Sequence, residues 1–217
     1  MPYFTDDFNR TNSSTVGNGW VEVGADDWSI LSNHLTVNNV GGGFLTQDTV
    51  LPDSADYAVE AVFNITFDPV LEGTWPSVLA RYASTTVFYL CQLGVGAVHL
   101  KRLQIYKNDG RWTVLSNIAV TINDQQDYTV KFTLKGSALK SYQDGVLKGS
   151  VSDGDITAKG KFAIRSGSIV GTTTWDDYKV YGDIKKIEAT LWGGVKKLAG
   201  IVEANIKKVS SILANEF

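Results

Sequence analysis

The feature that most constrains the fold is a succession of short β-rich runs, joined by Gly, Asn and Asp turns, over residues 1–183. In the run 128–134, apolar residues occupy every second position, as in a strand with one buried face. The NDG sequence at 108–110 and the DG sequence at 144–145 predict hairpin turns. No long helical pattern separates the runs. Many strands without intervening helices indicate an antiparallel sandwich or barrel and exclude an alternating α/β sheet.

A different pattern follows in three consecutive segments of eleven residues, 184–194, 195–205 and 206–216. Apolar residues recur there in steps of 3, 4 and 4, which places them on one face of a helix. A period of eleven favours a slight right-handed supercoil with a partner. Because Gly193-Gly194 weakens a helix, the segment is either one helix or a helix broken at that pair. The predicted stripe consists of Ile184, Ile187, Leu191, Val195, Leu198, Val202, Ile206, Val209, Leu213 and Phe217.

This stripe predicts an assembly or docking role. A helix of this composition is not stable alone, so its apolar face must be buried. The possible surfaces are copies of the chain, with a trimer favoured, another protein, or the chain's own sandwich. We therefore expect two domains, a β domain over 1–183 and a tail over 184–217.

Charge is divided unevenly between these two parts. The formal net charge of the chain is −3. Six lysines and three glutamates give residues 184–217 a net charge of +3, which leaves −6 for residues 1–183. The acidic larger part argues against a nucleic-acid-binding protein. The only cysteine, Cys91, excludes an intrachain disulfide, and we expect it to lie in the core.

Neither export nor membrane insertion is predicted. The first ten residues have no basic stretch followed by an apolar one, so we expect no secretory signal peptide. Residues 82–100 carry no formal charge, but they include polar residues and glycines. We interpret them as two strands and a turn rather than a transmembrane helix.

Three motifs, in this order, resemble the concanavalin A-like lectin/glucanase sandwich in its laminin-G-like form. They are DDFNRTNSSTVGNGWVEVGADDWSILSNHLTVNN, then LQIYKNDGRWTVLS with YTVKFTLKGSALKSYQDGVLKGSVSD, and finally GKFAIRSGSIVGTTTWDDYKVYG. The resemblance covers roughly residues 3–182 and implies an all-β, antiparallel jelly-roll sandwich. The fold hosts lectins, glycosidases and adhesive modules, so it does not fix the function.

The tail has a resemblance of its own. Its IKK-type repeats are similar to short tandem repeats of tailed-phage virion proteins, such as tail fibre and receptor-binding proteins. The second repeat fits best because it contains Gly200, where the other two have Ala189 and Ser211. The DDFNR…NGW opening is also similar to phage structural proteins. These resemblances imply a virion location, reached by assembly in the host cytoplasm.

Sugar binding needs an aromatic face and a few hydrogen-bonding side chains beside it. We expect Trp20, Trp28 and Trp175 to lie in the core. The better candidates for an exposed platform lie near turns or strand edges, although a half-buried core role is the alternative for each. They are Trp75, Arg81, Tyr82, Arg111 and Trp112.

Calcium is the one metal that the sequence suggests, because it takes several oxygen ligands. If the first and last strands pair, Asp6 and Asp7 converge with Asp176 and Asp177. The oxygen-rich loops at 108–111 and 152–155 are alternative sites. In the competing interpretation these acids cap turns and solvate strand ends. No other cofactor is predicted.

Catalysis has little support in the sequence. Glycosidases need two carboxyl groups across a sugar cleft, and the glucanases of the resembling fold carry them as an E-x-D-x-E run, which this chain lacks. No nucleophile triad, phosphate loop or dinucleotide motif is present. His34 and His99 have no motif around them, and we expect His99 to be a histidine of a strand surface or of the core rather than a catalytic base.

The hypothesis that combines these features is a non-enzymatic virion protein of a tailed phage. Its sandwich would serve adhesion or capsid or tail decoration, with a host surface glycan as one ligand, and its tail would bind other virion proteins. The alternatives are a glycoside hydrolase of the same fold and a bacterial carbohydrate-binding module.

Overall fold

The alternating runs form fifteen β-strands in a computed structural model that describes residues 1–24, 27–39, 43–66, 73–96, 100–167 and 172–182. These residues contain no helix. One sheet contains β1 (Phe4–Asp6), β3 (Asp27–Leu31), β4 (His34–Asn39), β6 (Tyr57–Thr66), β11 (Gln126–Lys135), β12 (Ala138–Gln143), β13 (Val146–Ser152) and β15 (Thr172–Tyr181). The other contains β2 (Trp20–Val23), β5 (Phe44–Gln47), β7 (Pro76–Ser84), β8 (Val87–Gly96), β9 (Leu100–Asp109), β10 (Trp112–Ala119) and β14 (Lys161–Ser166).

In each sheet one of the last two strands in the sequence lies between two strands from the first half of the chain: β15 between β6 and β4, and β14 between β7 and β5. The eight-stranded sheet has the order β13-β12-β11-β6-β15-β4-β3, and β1 also pairs with β15. The seven-stranded sheet has the order β10-β9-β8-β7-β14-β5-β2. All these pairings are antiparallel, so the predicted antiparallel β-sandwich is confirmed. The first and last described strands are neighbours, with Asp6 opposite Tyr178.

The core lies between the sheets and is rich in aromatic side chains. Trp28 and Trp175 are completely buried, and their rings lie 5.1 Å apart. Trp20 is also buried, and its ring contacts Tyr178 edge-on at 5.2 Å. Cys91 lies in the same core. Core positions for these three tryptophans and the cysteine are therefore confirmed.

Both predicted hairpins are present. Strands β9 and β10 are joined at 109–111, and Gly110 has the positive φ of 93° that this turn requires. Strands β12 and β13 are joined by Asp144 and Gly145, which have φ values of 52° and 77°. Two successive positive φ values are typical of the type I′ turn that closes a two-residue hairpin. Strands β7 and β8 confirm that most of segment 82–100 forms two strands and a turn.

Several predictions fall outside the described residues. His99 and the whole tail, with its ten stripe positions, belong to them, so the domain boundary at residue 183 stays a prediction. The described strands lie within a unit that spans Met1–Gly182. In the described part of the chain, no helix is long and apolar enough to cross a membrane.

Candidate functional site

The seven-stranded sheet has an outer surface that we call the concave face. The register defines it, because the pairs Leu79–Leu90 and Ser77–Gln92 direct these side chains away from the other sheet. Two adjacent rows of residues cross all seven strands on this side. From β10 to β2 they are Val114, Tyr106, Leu90, Leu79, Ala163, Thr46 and Val21, and Asn117, Gln104, Gln92, Ser77, Arg165, Phe44 and Val23.

Side chains from distant strands meet over this face. Phe44 on β5 and Phe88 on β8 are three strand spacings apart, which is about 14 Å measured perpendicular to the strands. Their ring centroids are nevertheless 5.4 Å apart. So close an approach requires the sheet to curl toward its outer side. Leu79 and Leu90, which face away from the other sheet, are completely buried because they pack in a cluster with Phe44, Tyr82 and Phe88.

An aromatic cluster forms one end of the concave face. Tyr82 and Phe88 are stacked at 6.0 Å, and Phe44 lies 5.5 Å from Tyr82. Trp112 contacts Phe88 edge-on at 5.4 Å and Tyr106 at 6.0 Å. Trp112 is 48% exposed, whereas Phe88 is completely buried. Trp112 is therefore an aromatic ring fixed by its neighbours and still open to solvent.

A second indole lies flat on the same face. A β-carbon built on Gly94 would be 2.6 Å from Cε3 of Trp75, and one built on Gly96 would be 2.8 Å from Cζ2. The Trp75 ring thus covers two successive outward positions of β8, which only glycine leaves open. Trp75 is half-buried. One side of its ring rests on the sheet, and the residue keeps part of its surface accessible.

Amide side chains connect the strands between the two indoles. Gln92 Nε2 donates a hydrogen bond of 2.8 Å to Gln104 Oε1, and Gln104 Nε2 donates one of 3.2 Å to Asn117 Oδ1. The three amides are therefore oriented in one direction across β8, β9 and β10. Gln92 and Gln104 are buried, whereas Asn117 at the end of the row is exposed, so its amide is the group of this row that a sugar hydroxyl can reach.

A guanidinium group completes the face. The Cζ atom of Arg165 lies 5.3 Å from the ring centroid of Trp112 and 5.8 Å from that of Phe44. Aromatic faces attract such a cation and hold its plane in place. Arg165 comes from β14, four strands away from Trp112, so this contact also depends on the curl of the sheet.

The predicted sugar-binding residues are brought together only in part. Trp75 and Trp112 lie on the concave face, and Arg111 is exposed in the hairpin turn beside Trp112. Tyr82 also lies on this side, but it is 5% exposed and forms part of the aromatic cluster. Sugar binding by these residues stays a prediction.

Arg81 corrects the expectation of an exposed platform residue, because its side chain is 1% exposed. Its guanidinium donates hydrogen bonds to the carbonyl oxygens of Ala55, Ile156 and Gly136, at 2.7–2.9 Å. Its φ of 51° and the register shift after Ala80 turn the side chain inward. Arg81 therefore links loops inside the protein and is not available to a surface ligand.

Among the predicted metal ligands, Asp6 is already saturated. Its carboxylate accepts hydrogen bonds from Trp20 Nε1 at 2.8 Å, Arg10 Nη1 at 2.7 Å and Asn18 Nδ2 at 3.0 Å. It also accepts one from the backbone N–H of Phe8. Burial alone would raise its pKa, but these donors together hold the pKa of Asp6 below its ordinary value. Asp6 thus acts as a structural acceptor rather than a free metal ligand.

The other three acids lie near one another where β1 meets β15. Asp7 and Asp177 line a surface cleft, together with Arg10 and Lys179. Burial, with the charges of Asp177 and Asp7, raises the pKa of Asp176. Within the described ranges, no three His, Cys, Asp or Glu side chains form a group that could hold a metal ion. Structural calcium at this place stays a prediction, and Asp6 does not fit it.

The alternative calcium loops also converge, but on a lysine. Lys107 Nζ lies 3.2 Å from a carboxylate oxygen of Asp109 and 3.3 Å from one of Asp153, and it pairs with Asp155 as well. Hydrogen bonds from the ammonium to these acids, first of all Asp155, raise the pKa of Lys107 above its ordinary value. The ammonium group therefore supplies the positive charge for the acids of both loops.

Sequence reasoning missed the amide row, Arg165 and Phe44. Strand alternation places Gln92 and Gln104 on one side of their strands, but it does not tell which side faces the core. The neighbours of Arg165 in the sequence, Ile164 and Ser166, gave no signal either. Its place beside Trp112 arises from pairing between β14 and β7 and from the curl of the sheet.

No known family model and no curated protein sequence matches this chain. Solved structures do match it. The carbohydrate-binding module CBM66 from Bacillus subtilis has a TM-score of 0.63 and 18% identity, over 76% of this chain and 96% of that one. The exoplasmic/lumenal domain of VIP36, in a form bound to Ca²⁺ and mannose, has a TM-score of 0.61 and 12% identity, over 76% of this chain and 84% of that one.

A phage protein has the same fold. The CBM2 module of the evolved Dit of Lactobacillus casei BL23 phage J-1 has a TM-score of 0.60 and 11% identity, over 82% of this chain and 94% of that one. At these identities the likeness concerns the fold alone. The chain therefore has a concanavalin A-like, lectin-type β-sandwich fold.

Proposed function

We propose that this chain is a non-enzymatic glycan-binding module and that the concave face is its binding surface. The observation that carries the proposal is the arrangement of Trp75 and Trp112 on either side of a row of oriented amides. Exposed indole surfaces stack on sugar rings, while Asn117, the exposed amide of the row, can bind hydroxyl groups. The carbohydrate-binding and mannose-bound structures of the same fold support this proposal.

The first experiment is a glycan array with the full chain, followed by calorimetry on the best ligand. Trp112→Ala removes the most exposed ring of the face. It should weaken binding about fivefold to thirtyfold, as expected for an aromatic contact worth about 1–2 kcal/mol. Tyr142→Ala is the matched control, because Tyr142 is a half-buried aromatic residue on the other sheet. Equal affinities of the two variants would contradict the proposed surface.

The same samples test the absence of catalysis. The strand residues that we assign to the two rows of the concave face include no Asp or Glu, within the described part of the chain. A glycoside hydrolase would need two such groups near the bond it cleaves. We expect the bound polysaccharide to keep its length after prolonged incubation. Release of reducing ends would favour the hydrolase alternative.

We further propose that the module belongs to a phage particle and that residues 184–217 attach it there or assemble it, with a trimer favoured. Support comes from the tail's resemblance to phage virion repeats and from the phage module of the same fold. A host surface glycan would then be the ligand, and other virion proteins the partners. Detection of the chain by mass spectrometry in purified particles tests the location.

The stripe itself is tested in the full chain. Replacing Ile187, Leu198 and Val209 together by Asp places charges on the predicted apolar face and should lower the assembly state measured by light scattering. Replacing Lys185, Lys196 and Lys207 by Gln is the control beside the stripe and should leave the mass unchanged. An unchanged mass for the Asp variant would argue against self-assembly through this stripe.

A further inference from the structure

One cation on the concave face is held in a fixed orientation. The guanidinium of Arg165 lies within 6 Å of two aromatic rings, those of Trp112 and Phe44. Such packing restricts the rotation of a long side chain, so less entropy is lost when a ligand binds it. A guanidinium also has five N–H donors, so Arg165 can keep the contacts that it makes within the chain and bind a ligand too.

A second arginine follows on the next row of the same face. Arg102 on β9 is opposite Gly94, the residue that Trp75 covers, and Arg102 is half-buried. Arg165 therefore contacts one indole, and Arg102 lies opposite a glycine that the other indole covers. These cations stand in a domain whose net charge over residues 1–183 is −6. The proposed binding surface therefore carries positive side chains although the domain as a whole is negatively charged.

We propose that the glycan bound on this face is anionic and carries carboxylate or phosphate groups along its chain. The planar fork of Arg165 matches either group with two parallel N–H···O bonds, which is the geometry that makes such pairs strong. The indoles and amides would bind the sugar rings between the charged groups. This inference rests on the proposed function and specifies the chemical class of its ligand.

The test compares a polymer with its own uncharged form and adds a phosphate polymer that carries sugar rings. The full chain is titrated with polygalacturonate, with the same polymer after methyl esterification, and with a glucosylated poly(glycerol phosphate). At low ionic strength, at least one of the two anionic polymers should bind about tenfold more tightly than the ester, as expected for one charge-assisted pair. That advantage should shrink in about 0.5 M NaCl, since salt screens exposed charges. The two anionic arms distinguish carboxylate from phosphate.

Variants connect the preference to the two arginines. Arg165→Gln and Arg102→Gln should each lower the affinity for the anionic polymer about fivefold to tenfold. Lys140→Gln, on the other sheet, makes the same charge change and should have no effect. Arg102→Gln keeps the test decisive if loss of Arg165 disturbs the packing of Trp112. Retained affinity in both arginine variants would overturn the inference.

Failure of this inference differs from failure of the proposed function. Equal binding of the ester and the anionic polymers, with a loss in Trp112→Ala, would disprove an anionic ligand and keep the glycan-binding face. Binding of neutral glycans alone would have the same meaning. No binding of any glycan would contradict both proposals.

Discussion

The indole of Trp75 occupies the space that a side chain at position 94 would need, since a β-carbon on Gly94 would lie 2.6 Å from Cε3 of the ring. The two residues face each other on neighbouring strands, β8 and the segment before β7. Gly94 therefore determines whether Trp75 can lie on the sheet. This relationship makes the glycine, rather than the tryptophan, the sharper test of the geometry.

Gly94→Ala should displace the Trp75 ring and weaken glycan binding about tenfold. The methyl group would also approach the carbonyl oxygen of Thr74, so we expect a loss of about 1–3 kcal/mol in the free energy of unfolding. Both quantities are measured, the affinity at a temperature where the variant is folded. Gly154→Ala is the control, because its nearest atom lies at 3.8 Å. Unchanged affinity in Gly94→Ala would show that the position of Trp75 does not matter for binding.

Asp6→Asn should destabilise the sandwich by about 3 kcal/mol, since it leaves Arg10 and Trp20 without the buried charge that they bond. The measurement is urea unfolding near neutral pH. Asp7→Asn is the neighbouring control. Asp7 is exposed and bonds only the N–H of Asn9 among its described hydrogen bonds, an interaction that the Asn side chain keeps. A loss no larger than that of the control would contradict the structural role of Asp6.

The stabilisation of the folded protein by Asp6 should decrease as the pH is lowered. Its pKa is lowered in the folded protein from the ordinary value of 3.8, so the folded state binds its proton less readily than the unfolded state. The stabilisation is complete above pH 3.8 and is lost as the pH falls through the lower, folded pKa. Stability curves of the wild type and Asp6→Asn should therefore converge below pH 3.8. A constant difference between pH 6 and pH 2 would be inconsistent with this linkage.

Lys107→Met should lower the melting temperature, because Asp109, Asp153 and Asp155 would repel one another once the ammonium is removed. The loss should be smaller in high salt, which screens that repulsion. Scanning calorimetry in low and high salt measures both effects. Lys148→Met, at an exposed position on β13, is the control. A loss that is independent of salt would point to packing of the lysine stem instead of its charge.

The sequence predicted the features of this molecule that depend on neighbouring residues. Alternation identified strands such as β11, and the positive φ values of Asp144 and Gly145 follow from the turn residues themselves. The resemblance of the three motifs predicted the lectin-type sandwich, and Trp20, Trp28 and Trp175 within those motifs lie in the core as expected. Such features need no knowledge of which strands pair.

Features that depend on distant pairings could not be predicted. Alternation puts Arg81 on the opposite side of the strand from Ala80, but the irregularity at Arg81 places both inside, and Tyr82 then faces outward. One residue of slip reverses every later side chain. For the same reason, the sequence predicted Trp75 and Trp112 as site residues but not Arg165. Arg165 contacts Trp112 only because distant strands approach each other over the face. The loops at 108–111 and 152–155 were predicted as alternative calcium sites because they are rich in oxygen ligands. In the structure, the ammonium group of Lys107 lies among their carboxylates instead.

The central positions of β14 and β15 have a consequence for how the chain folds. During synthesis, β5 and β7 leave the ribosome long before β14, which separates them in the sheet, and β4 and β6 wait similarly for β15. Pairings between segments so far apart in sequence form slowly. Neither sheet can become continuous until residues 161–181, which contain β14 and β15, have been synthesised. A nascent chain stopped at residue 160 would hold four divided half-sheets with open edges, the kind of intermediate that chaperones protect from aggregation.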